Sequence, residues 1–173
     1  LLHSEMKQKK YGDPFKDDSD IGSLASIKFR DELHAQVTDS LLSGAKLELG
    51  GYIPEGRGAF YPPTILSNIN NSMRVFSEET FGPVAAVIKA ESTEHAIKLS
   101  NNSQFGLGAA IFTSNKEAAQ NIAENYIEAG SIFINDFVKS NPTLPFGGIK
   151  TSGYGRELGT YGIKEFVNVK TIC

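Results

Sequence analysis

Residues 109–135 read Ala109-Ala110-Ile111-Phe112-Thr113, then Ser114-Asn115-Lys116-Glu117, then a helical stretch, then Gly130-Ser131-Ile132-Phe133-Ile134-Asn135. Two short apolar runs flank a segment in which Ala119, Ile122, Ala123, Tyr126 and Ile127 recur at helical spacing. The pattern predicts a strand, a helix opened by a Ser114/Glu117 capping box and stopped by Gly130, and a second strand. Working upstream, Ser92 starts another helix carrying Ala96, Ile97 and Leu99, and Val84 to Ile88 is a further apolar strand. Strands separated by helices need crossover connections. The expected class is therefore α/β, a mainly parallel sheet covered by helices.

Further outward the signals are weaker. Leu2 and Met6 with Lys9 and Lys10 resemble the end of a helix, which Gly12-Asp13-Pro14 stops. An Asp-rich loop runs from Asp17 to Gly22. Phe29, Leu33, Val37 and Leu41 then recur every four residues, the apolar stripe of a helix ending near Gly44. Tyr61-Pro62-Pro63-Thr64-Ile65-Leu66 reads as an edge segment, because proline cannot donate to a central ladder. The last run, Phe166 to Ile172, alternates apolar and polar and predicts a strand without a partner in its own domain. Such a strand suits pairing with another subunit. Two regions follow, a main domain over 1–151 and a C-terminal tail over 152–173.

Composition narrows the function classes. The chain has 173 residues, 40% of them hydrophobic, enough for one sizeable core. A net charge of -3 offers no basic field for nucleic acid or an anionic membrane. No apolar run is long enough to span a bilayer. The chain begins Leu1-Leu2-His3-Ser4-Glu5 without a signal pattern or Met, so it is expected to start inside a longer protein. A single cysteine, Cys173, fits a reducing cytoplasm and makes an internal disulfide impossible. Asn70-Asn71-Ser72 and Asn101-Asn102-Ser103 match a glycosylation pattern by chance.

Several attractive motifs fail. Gly153-Tyr154-Gly155 with Gly159 is one residue off the dinucleotide fingerprint and follows no strand directly. His3, His34 and His95 fall on separate predicted helices, with no triad or metal spacing. Nothing places a base or cation beside Cys173.

Two segments remain. Pro145 to Leu158 holds four glycines in fourteen residues. Glycine loses most backbone entropy on ordering, so the run reads as a shaped loop or as a surface linker. The loop from Asp136 to Thr151, which leads into it, directly follows Asn135 at a strand's carboxyl end, where open parallel sheets place their sites. Upstream, Glu78-Glu79-Thr80-Phe81-Gly82-Pro83 sets a carboxylate near an aromatic ring. That pair suits a nucleoside, the oxygens accepting from a ribose diol and the ring packing on a base or nicotinamide. A surface glutamate pair over a core phenylalanine is the competing interpretation.

These segments have company. Gly12-Asp13-Pro14, Gly44-Ala45 with Gly50-Gly51, Glu78 to Pro83, and Asn101-Asn102 with Phe105-Gly106-Leu107 come in a familiar order. So do Ala129-Gly130 through Asn135, Pro145-Phe146-Gly147-Gly148, Ser152-Gly153 and Gly155-Arg156-Glu157. Over essentially its whole length the chain resembles the aldehyde dehydrogenase superfamily. Asn135-Asp136-Phe137, with Pro145 ten residues after Asn135, is most similar to the NAD(P)-dependent succinate-semialdehyde dehydrogenase branch.

The resemblance implies oxidation of an aldehyde to an acid. A cysteine thiolate attacks the carbonyl, hydride passes to NAD or NADP, and a glutamate-activated water releases the acyl group. It also implies that the nucleophile, base, oxyanion asparagine and Rossmann domain lie outside this chain, which then carries no catalytic residue and is inactive alone. By resemblance Glu79 holds the nicotinamide ribose and Phe81 packs near the nicotinamide. Phe146 lines the aldehyde tunnel, and Ser140 presents a hydroxyl to the substrate's far carboxylate. Gly147, Gly148, Gly153 and Gly155 shape the loop, and Arg156 with Glu157 staples it. The tail implies a homodimer or homotetramer. The rival is a non-catalytic folding and assembly module. Arg74, where relatives often have proline, is assigned no function.

Overall fold

The computed structural model describes every residue except Asp17, so the first position of the expected acidic loop lies outside the described residues. The chain divides into two compact units, Leu1–Lys89 and Ala90–Cys173.

In the first unit, helix α1 (Leu2–Gln8) buries no residue and already ends at extended Lys9, before Gly12. Helix α2 (Ile27–Leu42) starts at Ser26, whose hydroxyl accepts from the Phe29 N–H. Of its expected stripe, Leu33 and Val37 are buried and Leu41 half-buried, but Phe29 is half exposed. Gly44, at φ +102°, turns the chain into β1 (Lys46–Leu49). Strand β1 runs antiparallel to β2 (Thr64–Ser67). The short helix α3 (Arg74–Ser77) follows, and β3 (Val84–Ala86) pairs parallel with β2. The core gathers Leu33 and Val37 of α2 against Tyr61, Leu66, Ile69, Met73 and Val75.

The sheet order β1-β2-β3 corrects the edge assignment of 61–66. Strand β2 is central, and Thr64, Ile65 and Leu66 are buried. Both prolines precede the ladder, and the first N–H required, that of Thr64, donates to the Pro83 carbonyl at 2.8 Å. Proline excludes a central strand only where the ladder needs its missing donor.

Tyr61 is buried, and its hydroxyl lies 3.0 Å from His34 Nδ1. Burial pushes its pKa up to about 12. A raised folded pKa contributes stability fully present below the unfolded value, about 10, and lost as pH rises toward 12. Tyr61→Phe should therefore flatten the alkaline limb of a pH-stability profile, at a cost near neutrality of about 1 kcal/mol for the lost hydrogen bond. Urea unfolding at pH 8 and pH 11 checks this; an unchanged alkaline slope contradicts it.

In the second unit, α4 (Thr93–Asn101) is capped by Ser92 as expected, its hydroxyl accepting from the His95 N–H. Then come β4 (Phe105–Gly106), β5 (Gly108–Ile111), α5 (Lys116–Asn125), β6 (Ser131–Ile134), β7 (Ile149–Lys150) and α6 (Gly159–Gly162). Strands β5 and β6 pair parallel from Gly108↔Ser131 to Ile111↔Ile134, with α5 as the expected crossover. The cap of α5 is Asn115 rather than Ser114: its side chain accepts from the Ala118 N–H, and Thr113 Oγ1 accepts from its own N–H. The helix also stops earlier than Gly130, because the Tyr126 and Ile127 N–H groups both turn back onto the Ile122 carbonyl.

The expected single, mainly parallel sheet is corrected. Among the described residues three small sheets form: mixed β1-β2-β3, parallel β5-β6, and antiparallel β4-β7. A crossover pattern fixes only the strands it directly joins; the partner of β3 is a strand from before it, which no local periodicity reveals. The expected strand over 166–172 also does not form. Phe166 closes a 3₁₀ turn (Ile163–Phe166), and residues 167–173 join no ladder among the described residues. Val169 and Ile172 remain exposed.

Candidate functional site

The loop from Glu78 to Val84 is held at four points. Arg74 donates twice to the Glu78 carboxylate, Nε to Oε1 and Nη2 to Oε2, each at 2.8 Å. Gln36 Nε2, from α2, donates to Glu78 Oε2 at 3.0 Å and to the Glu79 carbonyl at 3.1 Å. A side chain at Gly82 would collide with Leu33. The Pro83 carbonyl accepts from Thr64. Hydrogen bonds from Arg74 and then Gln36 hold the Glu78 carboxyl below the usual carboxylate range.

From this anchored loop Glu79 and Phe81 project outward, with Phe81 70% exposed. The notion of Phe81 as a core residue is thereby corrected. Among the described residues, the Glu79 carboxylate takes part in no ion pair, unlike its neighbour. An unspent carboxylate and a bare ring two residues apart, on a backbone anchored by these contacts, suit a diol beside a planar ring. That is the chemistry of a ribose and its base or nicotinamide.

In the second unit the connection that leads to the glycine-rich run starts where β6 ends. Asn135 takes up φ +56°, and its side chain completes the ladder. Its Oδ1 accepts from the Thr113 N–H at 2.8 Å and its Nδ2 donates to the Thr113 carbonyl at 2.9 Å. The chain then borders a cavity of about 520 Å³, lined by Ile132, Ile134, Asp136, Lys139, Asn141 and Phe146 among others. Phe146 is half-buried and fixed through reciprocal backbone hydrogen bonds with Glu157, both 2.8 Å. Ser140 is exposed and does not itself line the cavity, although both its neighbours do. Lys139 pairs with Asp136 at 2.6 Å, and that bond with the Phe137 N–H lowers the Asp136 pKa.

The loop's shape comes from backbone approach. The Gly130 Cα faces the Gly147 carbonyl so closely that a methyl group has no room. Arg156 Nη1 donates to the Gly148 and Gly155 carbonyls, at 3.0 and 2.6 Å. Arg156 is thus the expected staple, while Glu157 contributes through its backbone.

Sequence reasoning missed Gln36 and Arg74. The Arg74/Glu78 pair at i,i+4 was a visible signal; the Gln36 contact spans more than forty residues and had none. His3, His34 and His95 lie on α1, α2 and α4, and among the described residues no group of three or more His, Cys, Asp or Glu could hold a metal ion. No helix among them is long and apolar enough to cross a membrane. Cys173 is exposed at the end of the unpaired tail.

A family model described as "Aldehyde dehydrogenase family" matches residues 1–172. An aldehyde dehydrogenase of Paenarthrobacter nicotinovorans is 46% identical over 172 residues, covering 99% of this chain and 37% of that protein. A succinate semialdehyde dehydrogenase [NAD(P)+] of Escherichia coli (strain K12) is 46% identical over 163 residues, covering 94% and 35%. The crystal structure of succinic semialdehyde dehydrogenase from Streptococcus pyogenes, in complex with NADP+, superposes with a TM-score of 0.92 at 41% identity, covering 96% of this chain and 36% of that one. The chain thus spans little more than a third of the length of each.

Proposed function

The chain belongs to the aldehyde dehydrogenase family, and on that premise we propose that it supplies the nicotinamide-holding and aldehyde-lining parts of a longer NAD(P)-dependent enzyme. The reaction is oxidation of an aldehyde, succinate semialdehyde, to its carboxylic acid, with one water consumed and NADH or NADPH formed. The observation that carries this is the exposed Glu79 and Phe81 on a loop anchored at four points. The succinate-semialdehyde dehydrogenases among its relatives support the choice of substrate.

When bound, NAD or NADP supplies the hydride acceptor. The Glu79 carboxylate accepts hydrogen bonds from both hydroxyls of the nicotinamide ribose, charge-assisted bonds that fix the sugar. The Phe81 ring covers one side of the nicotinamide region and excludes water. Phe146, fixed by its backbone pairing, lines the aldehyde's path. The Ser140 hydroxyl donates to the substrate's distal carboxylate. The attacking thiolate comes from elsewhere in the protein, since the chain's single cysteine ends an exposed tail. That tail, with Phe166, Val167, Val169 and Ile172 exposed, is covered by a second subunit in a dimer or tetramer. The enzyme works in the cytoplasm.

The complete polypeptide containing this chain, given succinate semialdehyde with either nucleotide, should generate NADH or NADPH absorbance; no absorbance with either would overturn the activity. Ser140→Ala should raise KM roughly tenfold for succinate semialdehyde, the effect of losing one hydrogen bond to a charged group. For an uncharged aldehyde of similar length KM should not move. Equal effects on both substrates would remove Ser140 from carboxylate recognition.

A further inference from the structure

Glu78 and Glu79 are neighbours of identical chemistry, and which of them faces outward is decided by what grips the other. Glu78 is extended, at φ -102° and ψ 152°, so consecutive side chains leave the backbone on opposite sides. The grip comes from one face of α2. Asp39 Oδ2 accepts from Arg74 Nη1 at 2.7 Å, which fastens the guanidinium to the helix. The remaining edge of that guanidinium makes a two-pronged bond to Glu78. One turn back on α2, Gln36 directs its amide donor at both Glu78 and the Glu79 carbonyl. Ser40 ties the same face to α3, accepting from the Val75 N–H at 3.2 Å and donating to the Gln36 carbonyl at 2.8 Å.

Helix stability alone does not account for this cluster. A basic residue at the start of a helix and an acidic one at its end oppose the helix dipole, and Arg followed by Glu at i,i+4 is the less favourable order. Gln36 is only 9% exposed and turns its amide donors to this one loop. Hydrogen bonding the Glu79 carbonyl sets the rotation of the peptide plane after Glu79. Holding that carbonyl limits how the Glu79 Cα, from which the carboxylate hangs, can turn, and it sets the path of the backbone toward Phe81.

We infer that Gln36, with Arg74 bridging Glu78 to Asp39, is a positioning residue that aims Glu79 at the nicotinamide ribose. The inference rests on the assignment of Glu79 to the ribose made above. An α2 side chain that touches neither substrate nor nucleotide thereby controls the hydride step. Loss of the grip leaves the Glu79 carboxylate chemically intact but free to wander by about an ångström, a displacement that can cost on the order of a hundredfold in rate.

The test uses the complete polypeptide in four forms: parent, Glu79→Gln, Gln36→Met and the double variant. Methionine keeps the length of the side chain without its donors. Single-turnover hydride transfer should slow about tenfold or more in Gln36→Met, while KM for the aldehyde stays unchanged. In the Glu79→Gln background Gln36→Met should add nothing, because there is no longer a carboxylate to aim. Additive slowing, or full-speed transfer in Gln36→Met beside a slow Glu79→Gln, overturns the inference and leaves the ribose assignment standing. Full-speed transfer in Glu79→Gln instead removes the ribose assignment, and the inference with it. Should Gln36→Met not fold, Arg74→Lys decides in its place: it keeps the charge but cannot form the two-pronged bond. Slowing by Arg74→Lys that vanishes when Glu79 is already Gln supports the positioning role; an unchanged rate, or slowing that persists there, contradicts it.

Discussion

Gly130→Ala is expected to open the glycine-rich loop, with the amides of Phe146 and Glu157 exchanging about a hundredfold faster than in the parent. The added methyl group meets the Gly147 carbonyl and the Gly148 Cα, main-chain atoms that cannot swing aside as a flexible side chain would. Nor can Gly130 retreat, because its own N–H donates to the Gly106 carbonyl at 2.9 Å and Ser131 donates to Leu107. Strain then passes to the β4–β7 pair, where Gly106 faces Ile149, and to the Phe146–Glu157 pairing that walls the cavity. Overpacking of this kind costs up to about 3 kcal/mol, which in local opening corresponds to the stated factor at roughly tenfold per 1.4 kcal/mol. Gly153→Ala is the control. Its backbone lies at φ +125° but a methyl group there meets nothing within 4 Å, so only conformational strain of about 1 kcal/mol is expected. Equal acceleration in both variants would mean that the Gly130–Gly147 approach is not what holds the loop.

Glu79→Gln in the complete polypeptide should slow single-turnover hydride transfer ten- to a hundredfold. Charge-assisted hydrogen bonds contribute about 1.5–3 kcal/mol, and glutamine replaces an all-acceptor carboxylate by an amide half of which is a donor facing two hydroxyl groups. Affinity for the aldehyde should hardly move, since the substrate path is assigned to residues of the other unit. The side chain is exposed and keeps its size, so folding should be indifferent to the change. A variant that transfers hydride at the parent rate would show that Glu79 is an ordinary surface carboxylate.

The parts of the fold that could be read beforehand were those set by local chemistry. The β5–α5–β6 crossover was legible because two short apolar runs flank a segment of helical periodicity, with a cap at one end. Even there the cap moved from Ser114 to Asn115, two equally suitable residues one step apart. Strand pairing was not legible. Thr64 to Ser67 looked like an edge because of Pro62 and Pro63, yet the ladder simply starts after them. The tail over 166–172 has strand alternation but no partner strand among the described residues, and alternation alone stabilises nothing. Among the site residues, Glu79 and Phe81 were visible as a motif, and the structure added their exposure. Phe146 was visible as part of the glycine-rich loop. Gln36 was not, because its role exists only once α2 lies along a loop far ahead in the chain. Arg74 was assigned no function because it falls outside the inferred site, although Glu78 stood four residues away.

Replacing Phe81 by tryptophan gives the most direct measurement. The chain has no tryptophan of its own, so the difference spectrum against the parent polypeptide reports on this position. Indole emission overlaps the absorbance of a reduced nicotinamide, and energy transfer over the width of a ring contact is nearly complete. Titration with NADH or NADPH should extinguish the introduced emission in step with nucleotide binding. Emission that survives saturation by the reduced nucleotide would put the ring, and the carboxylate beside it, somewhere other than the hydride acceptor.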